Sequence, residues 1–184
     1  MLMNFTPFPE LETERFSLRR PSTSDATIIQ FLRSDPHVNK FIDRPKAESR
    51  EEVLKFIDKI NAGIDANANL YWVITNKMDR TTMLGSISLW NFSEDLNMAE
   101  VGYDLHPAAH SKGIMNESIK AVLEYGFEHL NFKTIEAYTH YENVPSIKLL
   151  EKSGFKLMPD RKDKGFPHNA IYSLTASKFA LYSK

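Results

Sequence analysis

Apolar residues recur along this chain in two rhythms, one of period two and one near 3.6, and the switches between them mark its elements. Residues 15–20 alternate, with Phe16 and Leu18 on one side and Ser17 and Arg19 on the other, which predicts a strand. Ser24-Asp25 then opens a helix whose apolar face is Ile28, Ile29, Phe31 and Leu32, and Asp35-Pro36 ends it. Residues 37–50 follow neither rhythm, yet carry Phe41, Ile42 and Pro45. That segment is expected either to wall a substrate site or to tuck its apolar residues under a helix. Ser49 with Glu51-Glu52 starts the next helix, striped by Val53, Phe56, Ile57, Ile60 and Ile64. Strands are expected at 70–76, 83–92 and 97–105, separated by turns at 78–80 and 93–96. Gly85 marks a close approach or local distortion within its strand.

After Pro107 the period returns to helical, with Met115, Ile119, Val122, Leu123, Gly126 and Leu130 on one face. A strand at 133–140 follows. A short helix comes next at 144–153, capped by Asn143 and stopped by Gly154. Strands at 155–158 and 170–175 flank a charged turn at 160–168. The lead-in 1–10, punctuated by Pro7 and Pro9, is not expected to be regular. No repeat, low-complexity tract or linker divides the chain. The fold class is α/β: a single domain over 1–184, with a mixed, mostly antiparallel sheet of six to seven strands flanked by helices.

The segment His110-Ser111-Lys112-Gly113 joins a strand to a helix. A glycine-bearing loop in that position aims several free backbone N–H groups one way. The helix dipole and the Lys112 ammonium add positive charge there, which makes an anion site suited to phosphate. It is neither a GxxxxGK[ST] loop nor a GxGxxG fingerprint. A plain strand-to-helix turn, with Gly113 chosen for backbone freedom, would look the same.

Composition narrows the chemistry. The 184 residues include no cysteine, which excludes thiol nucleophiles, thiolate metal sites and an acyl-cysteine intermediate. A net charge of -1 offers no broad field for nucleic acid or an anionic membrane. The first residues lack a basic segment followed by an apolar run, and no stretch is apolar enough to span a bilayer, so the expected place is the cytoplasm. The histidines show no HExxH spacing, and no metal is expected. Along 98–105, Ala99, Val101, Tyr103 and Leu105 share one face, and Met98, Glu100, Gly102 and Asp104 the other. A carboxylate in mid-strand costs several kcal/mol if buried unpaired, so Glu100 should face solvent or a wet cleft. Gly102 permits a β-bulge beside it.

Three stretches resemble the GCN5-related N-acetyltransferase (GNAT) superfamily, and within it the ribosomal-protein N-terminal acetyltransferases. They are the opening Leu11–Arg19, the run Ala99–Tyr103 continued by His110–Met115, and Asn143–Ser146 continued by Leu149–Phe155. Together they cover nearly the whole chain in family order. The resemblance implies a GNAT-like fold with acetyl-CoA as co-substrate and its pantetheine arm in a gap between the strands at 97–105 and 133–140. It implies a bulge at that gap. It assigns cofactor contacts to Val101, Gly102, Tyr103, His110, Ser111, Lys112, Gly113, Ile114, Met115, Asn143 and Ser146. Glu100 is the candidate base for the amine, directly or through water. Backbone N–H groups near Val101–Tyr103 are candidate oxyanion donors, and Ser146 is the candidate hydrogen-bond donor to the departing thiolate.

Three positions depart from the family pattern: His110 for arginine or glutamine, Met115 for a small residue, and Leu150 for the tyrosine that serves as acid in many relatives. The acceptor implied is a protein N-terminus or a small amine; a polyamine would favour a carboxylate-rich cleft, which Glu94, Asp95, Glu100 and Asp104 could supply. The departures keep open a second reading, an acyl-CoA-binding sensor or partner module without turnover. No nucleic-acid or membrane partner is expected, and relatives are monomers or homodimers.

Overall fold

The computed structural model describes residues 3–182. One sheet of eight strands has the order β1-β2-β3-β4-β5-β6-β8-β7. In chain order these are β1 (Leu11–Glu12), β2 (Phe16–Arg19), β3 (Leu70–Asn76), β4 (Asp79–Trp90), β5 (Met98–Leu105), β6 (Thr134–His140), β7 (Lys156–Leu157) and β8 (Asn169–Thr175). The helices are α1 (Ala26–Ser34), α2 (Arg50–Asp65), α3 (Ile114–Glu124), α4 (Val144–Lys152) and α5 (Ala176–Tyr182). The expected α/β class holds; the two-residue β1 and the closing α5 are additions to the sequence reading.

Period-two patterning gives the sheet two apolar faces. Leu70, Trp72, Ile74, Ile87, Leu89, Ala99 and Val101 pack with Ile114, Met115, Ile119, Val122 and Leu123 of α3. Val73 and Met83 point the other way, into a smaller cluster with Ala26, Ile29 and Leu32 of α1 and Val53 and Ile57 of α2. The lead-in is irregular but anchored: Phe5 is buried, and the Trp72 indole N–H donates to the Pro9 carbonyl at 2.7 Å.

All pairings are antiparallel except β5 with β6, which the α3 crossover makes parallel. That pair is short. Met98, Ala99 and Glu100 face Thr134, Ile135 and Glu136, and the two strands then run on without pairing to each other, β5 to Leu105 and β6 to His140. The gap expected between these strands is therefore present. The expected bulge at Gly102 is not: the register with β4 is unbroken from Gly85↔Leu105 through Ser88↔Gly102 to Trp90↔Glu100. The register shifts lie between β3 and β4, at Ile74/Thr75 and Thr75/Asn76. A Cβ at Gly102 would make only ordinary contacts, 3.4 Å from Ser88 Oγ and 3.6 Å from the Trp90 indole nitrogen, so packing does not demand glycine there. Gly85 does mark a close approach, because a Cβ there would stand 2.4 Å from the Asp104 carbonyl oxygen.

Candidate active site

Glu100 sits where the parallel ladder ends, directly beside Glu136 on the same face. Two carboxylates abreast repel, and the fold separates their fates. Glu136 is buried and held by the Arg161 guanidinium on both oxygens, with Arg161 Nη2 2.9 Å from Oε2 and the Tyr138 hydroxyl donating to the same oxygen at 3.0 Å. Among the described residues Glu100 receives only the Asn91 amide, at 3.3 Å. Burial pushes its carboxyl up to about 7; the Asn91 hydrogen bond opposes this, and the Asp163 and Glu136 carboxylates add to it. A carboxylate tuned this way exchanges protons near neutral pH, as a general base must.

On the opposite side of β5, Tyr103 reaches α4. Its hydroxyl lies 2.8 Å from Ser146 Oγ, a hydrogen bond between β5 and the helix that follows β6. Burial drives the Tyr103 phenol up to about 12, and the Ser146 hydrogen bond opposes that rise. The phenol therefore keeps its proton at neutral pH, and either hydroxyl can be the donor in its bond with Ser146. Asn143 caps α4 by accepting the Ser146 N–H on Oδ1 at 3.3 Å. Leu150 is fully buried in the core. Tyr103 and Ser146 thus place two hydroxyls beside the gap where α4 has no tyrosine to offer. Past Glu100 the β6 side of Val101–Tyr103 is also free of ladder pairing, which leaves backbone groups for a ligand.

The 110–113 loop leads into α3. Ser111 and Gly113 both lie in the left-handed region, at φ 60 and φ 77. Gly113 is the N-cap and no side chain caps the helix, whereas Ser49 caps α2 and Asn143 caps α4. The first-turn N–H groups of α3 thus stay available, next to the exposed Lys112. Arg15 adds a second cation: its Nη1 donates to the Lys112 carbonyl at 3.2 Å and its Nε pairs with Glu117 at 2.8 Å. Ile114 and Met115 are buried, so these two offer backbone rather than side chain. His110 folds back, with Nε2 3.0 Å from the Leu105 carbonyl. That contact commits Nε2 to the backbone, while the first-turn N–H groups and Lys112 stay free for an anion.

His106 and His110 stand four residues apart across the Pro107–Ala109 turn, but His106 Nδ1 accepts the Ala108 N–H at 3.2 Å. Among the described residues no three histidine or carboxylate side chains converge as metal ligands do. A groove of about 800 Å³ beside this loop is lined by Arg15, Phe16, Lys77, Leu84, Lys112 and Ile114 among others. None of its lining residues belongs to β6 or α4, so it is separate from the Glu100 cleft.

Around Glu100 the exposed Trp90, the Glu136–Tyr138–Arg161 group and Asp163 complete the cleft. Sequence reasoning missed Glu136 and Arg161, which lie 25 residues apart and meet because the stretch leading into β8 runs beside β6. The one local signal was a second mid-strand carboxylate at 136. In the 37–50 segment Ala47 is buried with α1 and α2, Phe41 and Ile42 are half-buried and Pro45 is exposed, and the Phe41 ring lies 5.1 Å from the His140 ring at the end of β6.

Residues 15–156 match the family described as the acetyltransferase (GNAT) domain, and the chain belongs to that family of acyltransferase enzymes. It is 32% identical over 147 residues to the Bacillus licheniformis protein called uncharacterized N-acetyltransferase p20, covering 79% of this chain and 82% of the relative. Its fold resembles a ribosomal-protein-S5-alanine acetyltransferase from Vibrio fischeri, with TM-score 0.78, 21% identity, and coverage of 93% and 98% of the two chains. It also resembles a spermidine N-acetyltransferase from Vibrio cholerae solved with CoA and spermine, with TM-score 0.75, 21% identity, and coverage of 90% and 98%.

Proposed function

We propose that this protein transfers an acetyl group from acetyl-CoA directly to an amine, with Glu100 as the base. The observation that carries this is a carboxyl pushed up to about 7 at the end of the parallel ladder, facing the gap where β5 and β6 part. The free N–H groups of the 111–115 turn, with Lys112, suit the pyrophosphate of coenzyme A. The unpaired edges of β5 and β6 suit an amide-rich arm, since such an arm can use the backbone groups the ladder leaves free. Acceptor and donor are bound together in a ternary complex; the absence of cysteine supports direct transfer over an acyl-cysteine route. Glu100, alone or through water, removes the amine proton. The strand edge at Val101–Tyr103 receives the developing negative oxygen. Ser146, backed by Tyr103, hydrogen-bonds the departing sulfur.

The acceptor is a protein N-terminus or a small amine, the two kinds of acceptor named in the structural neighbours. The test is a calorimetric titration with acetyl-CoA followed by an amine panel read by thiol release, covering N-terminal peptides and polyamines. Micromolar binding with release that depends on one amine class supports the proposal. Tight binding with no release for any amine would favour an acyl-CoA sensor instead, and no binding at millimolar ligand would overturn both.

A further inference from the structure

The geometry points to Arg44 as the residue that positions the acceptor-side wall and so sets which amines fit; this rests on the Glu100 cleft being the acceptor site. Arg44 lies in the segment between α1 and α2, and its guanidinium ties that segment to two other elements and to itself. Nη1 donates to Asp104 Oδ2 on β5 at 2.8 Å, Nη2 to the Leu32 carbonyl of α1 at 2.8 Å, and Nε to Asn39 Oδ1 within the segment at 2.8 Å. Asn39 in turn donates to the Leu32 and Asp35 carbonyls at 2.8 Å. Asp104 is completed by the Ser86 hydroxyl at 2.5 Å. The Arg44 and Asp104 side chains are only 19% and 6% exposed, so this pair is little screened by solvent.

A segment held at one such point does not swing as a lid. Its tip, Phe41, packs on His140, the last residue of β6. The segment thus spans from Asp104 near the end of β5 to the end of β6, across the mouth of the gap. Asp104 and Glu100 share a face and are four residues apart, which is roughly 13 Å along a strand. An amine whose nitrogen reaches Glu100 meets this wall only if its substituent extends that far. Short amines do not touch it; long ones are selected by it. Lysine cannot replace Arg44, because one ammonium cannot hold three acceptors lying in a fork.

The experiment compares parent, Arg44→Lys, Arg44→Ala and Phe41→Ala across an amine series of increasing length, together with hydrogen exchange over residues 35–49. Arg44→Ala leaves Asp104 buried without its cation, with only the Ser86 hydroxyl as partner among the described residues; Phe41→Ala removes the wall tip while keeping the anchor. The expected result has three parts. KM rises about 10-fold for long acceptors in the folded variants, short-amine KM and kcat change by less than about twofold, and acetyl-CoA affinity is unchanged. Exchange over 35–49 quickens in both Arg44 variants. Equal effects on short and long amines, or unchanged exchange in Arg44→Ala, would overturn the inference. A parent that acetylates no amine would sink the proposed function instead, and exchange would still report on the anchor.

Discussion

Glu100 shows how one residue's surroundings set its chemistry. Its neighbour Glu136 spends its charge on Arg161 and Tyr138, and Glu100 is left half-buried with one weak donor. Its folded carboxyl titrates near 7 against an ordinary 4.5. Between those values the folded chain holds a proton that the unfolded chain has lost, so this group's contribution to stability falls as pH rises and its full cost is present above pH 7. Glu100→Gln removes that cost. Its Tm, followed by thermal melting, should exceed the parent's by several degrees at pH 8 and match it near pH 4. Tyr103 and Ser146 share one hydrogen bond. Tyr103→Phe and Ser146→Ala should each cost about 1 kcal/mol in urea unfolding. The double variant should cost little more than either alone, because the same contact is removed twice. Additive losses would mean the hydroxyls act separately.

Among the elements, the 110–113 loop is the most sensitive to single changes. Gly113 at φ 77 leaves little tolerance for a side chain, and a Cβ there would lie 3.2 Å from Arg15 Nη2. Gly113→Ala should cost about 1 kcal/mol of stability and weaken acetyl-CoA binding about 10-fold by calorimetry, without changing the pH dependence of turnover. Elements of this kind were legible in the sequence because their signals are local. Ser49 with Glu52 forms the predicted helix start as a capping box, Asn143 caps α4, and the α3 stripe is buried. Long-range features left no such trace. The Arg161–Glu136 pair, the Arg44–Asp104 anchor and the Arg15 contact to Lys112 join residues 25, 60 and 97 positions apart. The bulge at Gly102 was carried over from resemblance; here the β4 ladder stays regular through that position.

For the molecule as a whole, the sheet separates two tasks. One face carries α3 and the apolar bulk of the core, and the other carries Glu100, Asp104 and Glu136. The gap between β5 and β6 connects them, so a ligand seated there ties the two halves of the sheet. Acetyl-CoA at 100 times its Kd should stabilise the fold by about 2.7 kcal/mol and raise Tm by roughly 5–10 °C in a chain of this size. Free adenosine triphosphate, which shares the phosphates and lacks the pantetheine arm, should do much less. Equal shifts from both would mean that only the loop, and not the gap, binds.

The most direct test of the central claim is the pH profile of kcat/KM for acetyl transfer by parent and Glu100→Gln, with an acceptor found in the amine panel. The parent's rate should rise with pH through an apparent pKa near 7. The variant should fall by about 100-fold or more and lose that limb, with acetyl-CoA affinity intact. A variant that keeps the parent's rate and the parent's profile would contradict the account, and the base would have to be sought elsewhere in the cleft.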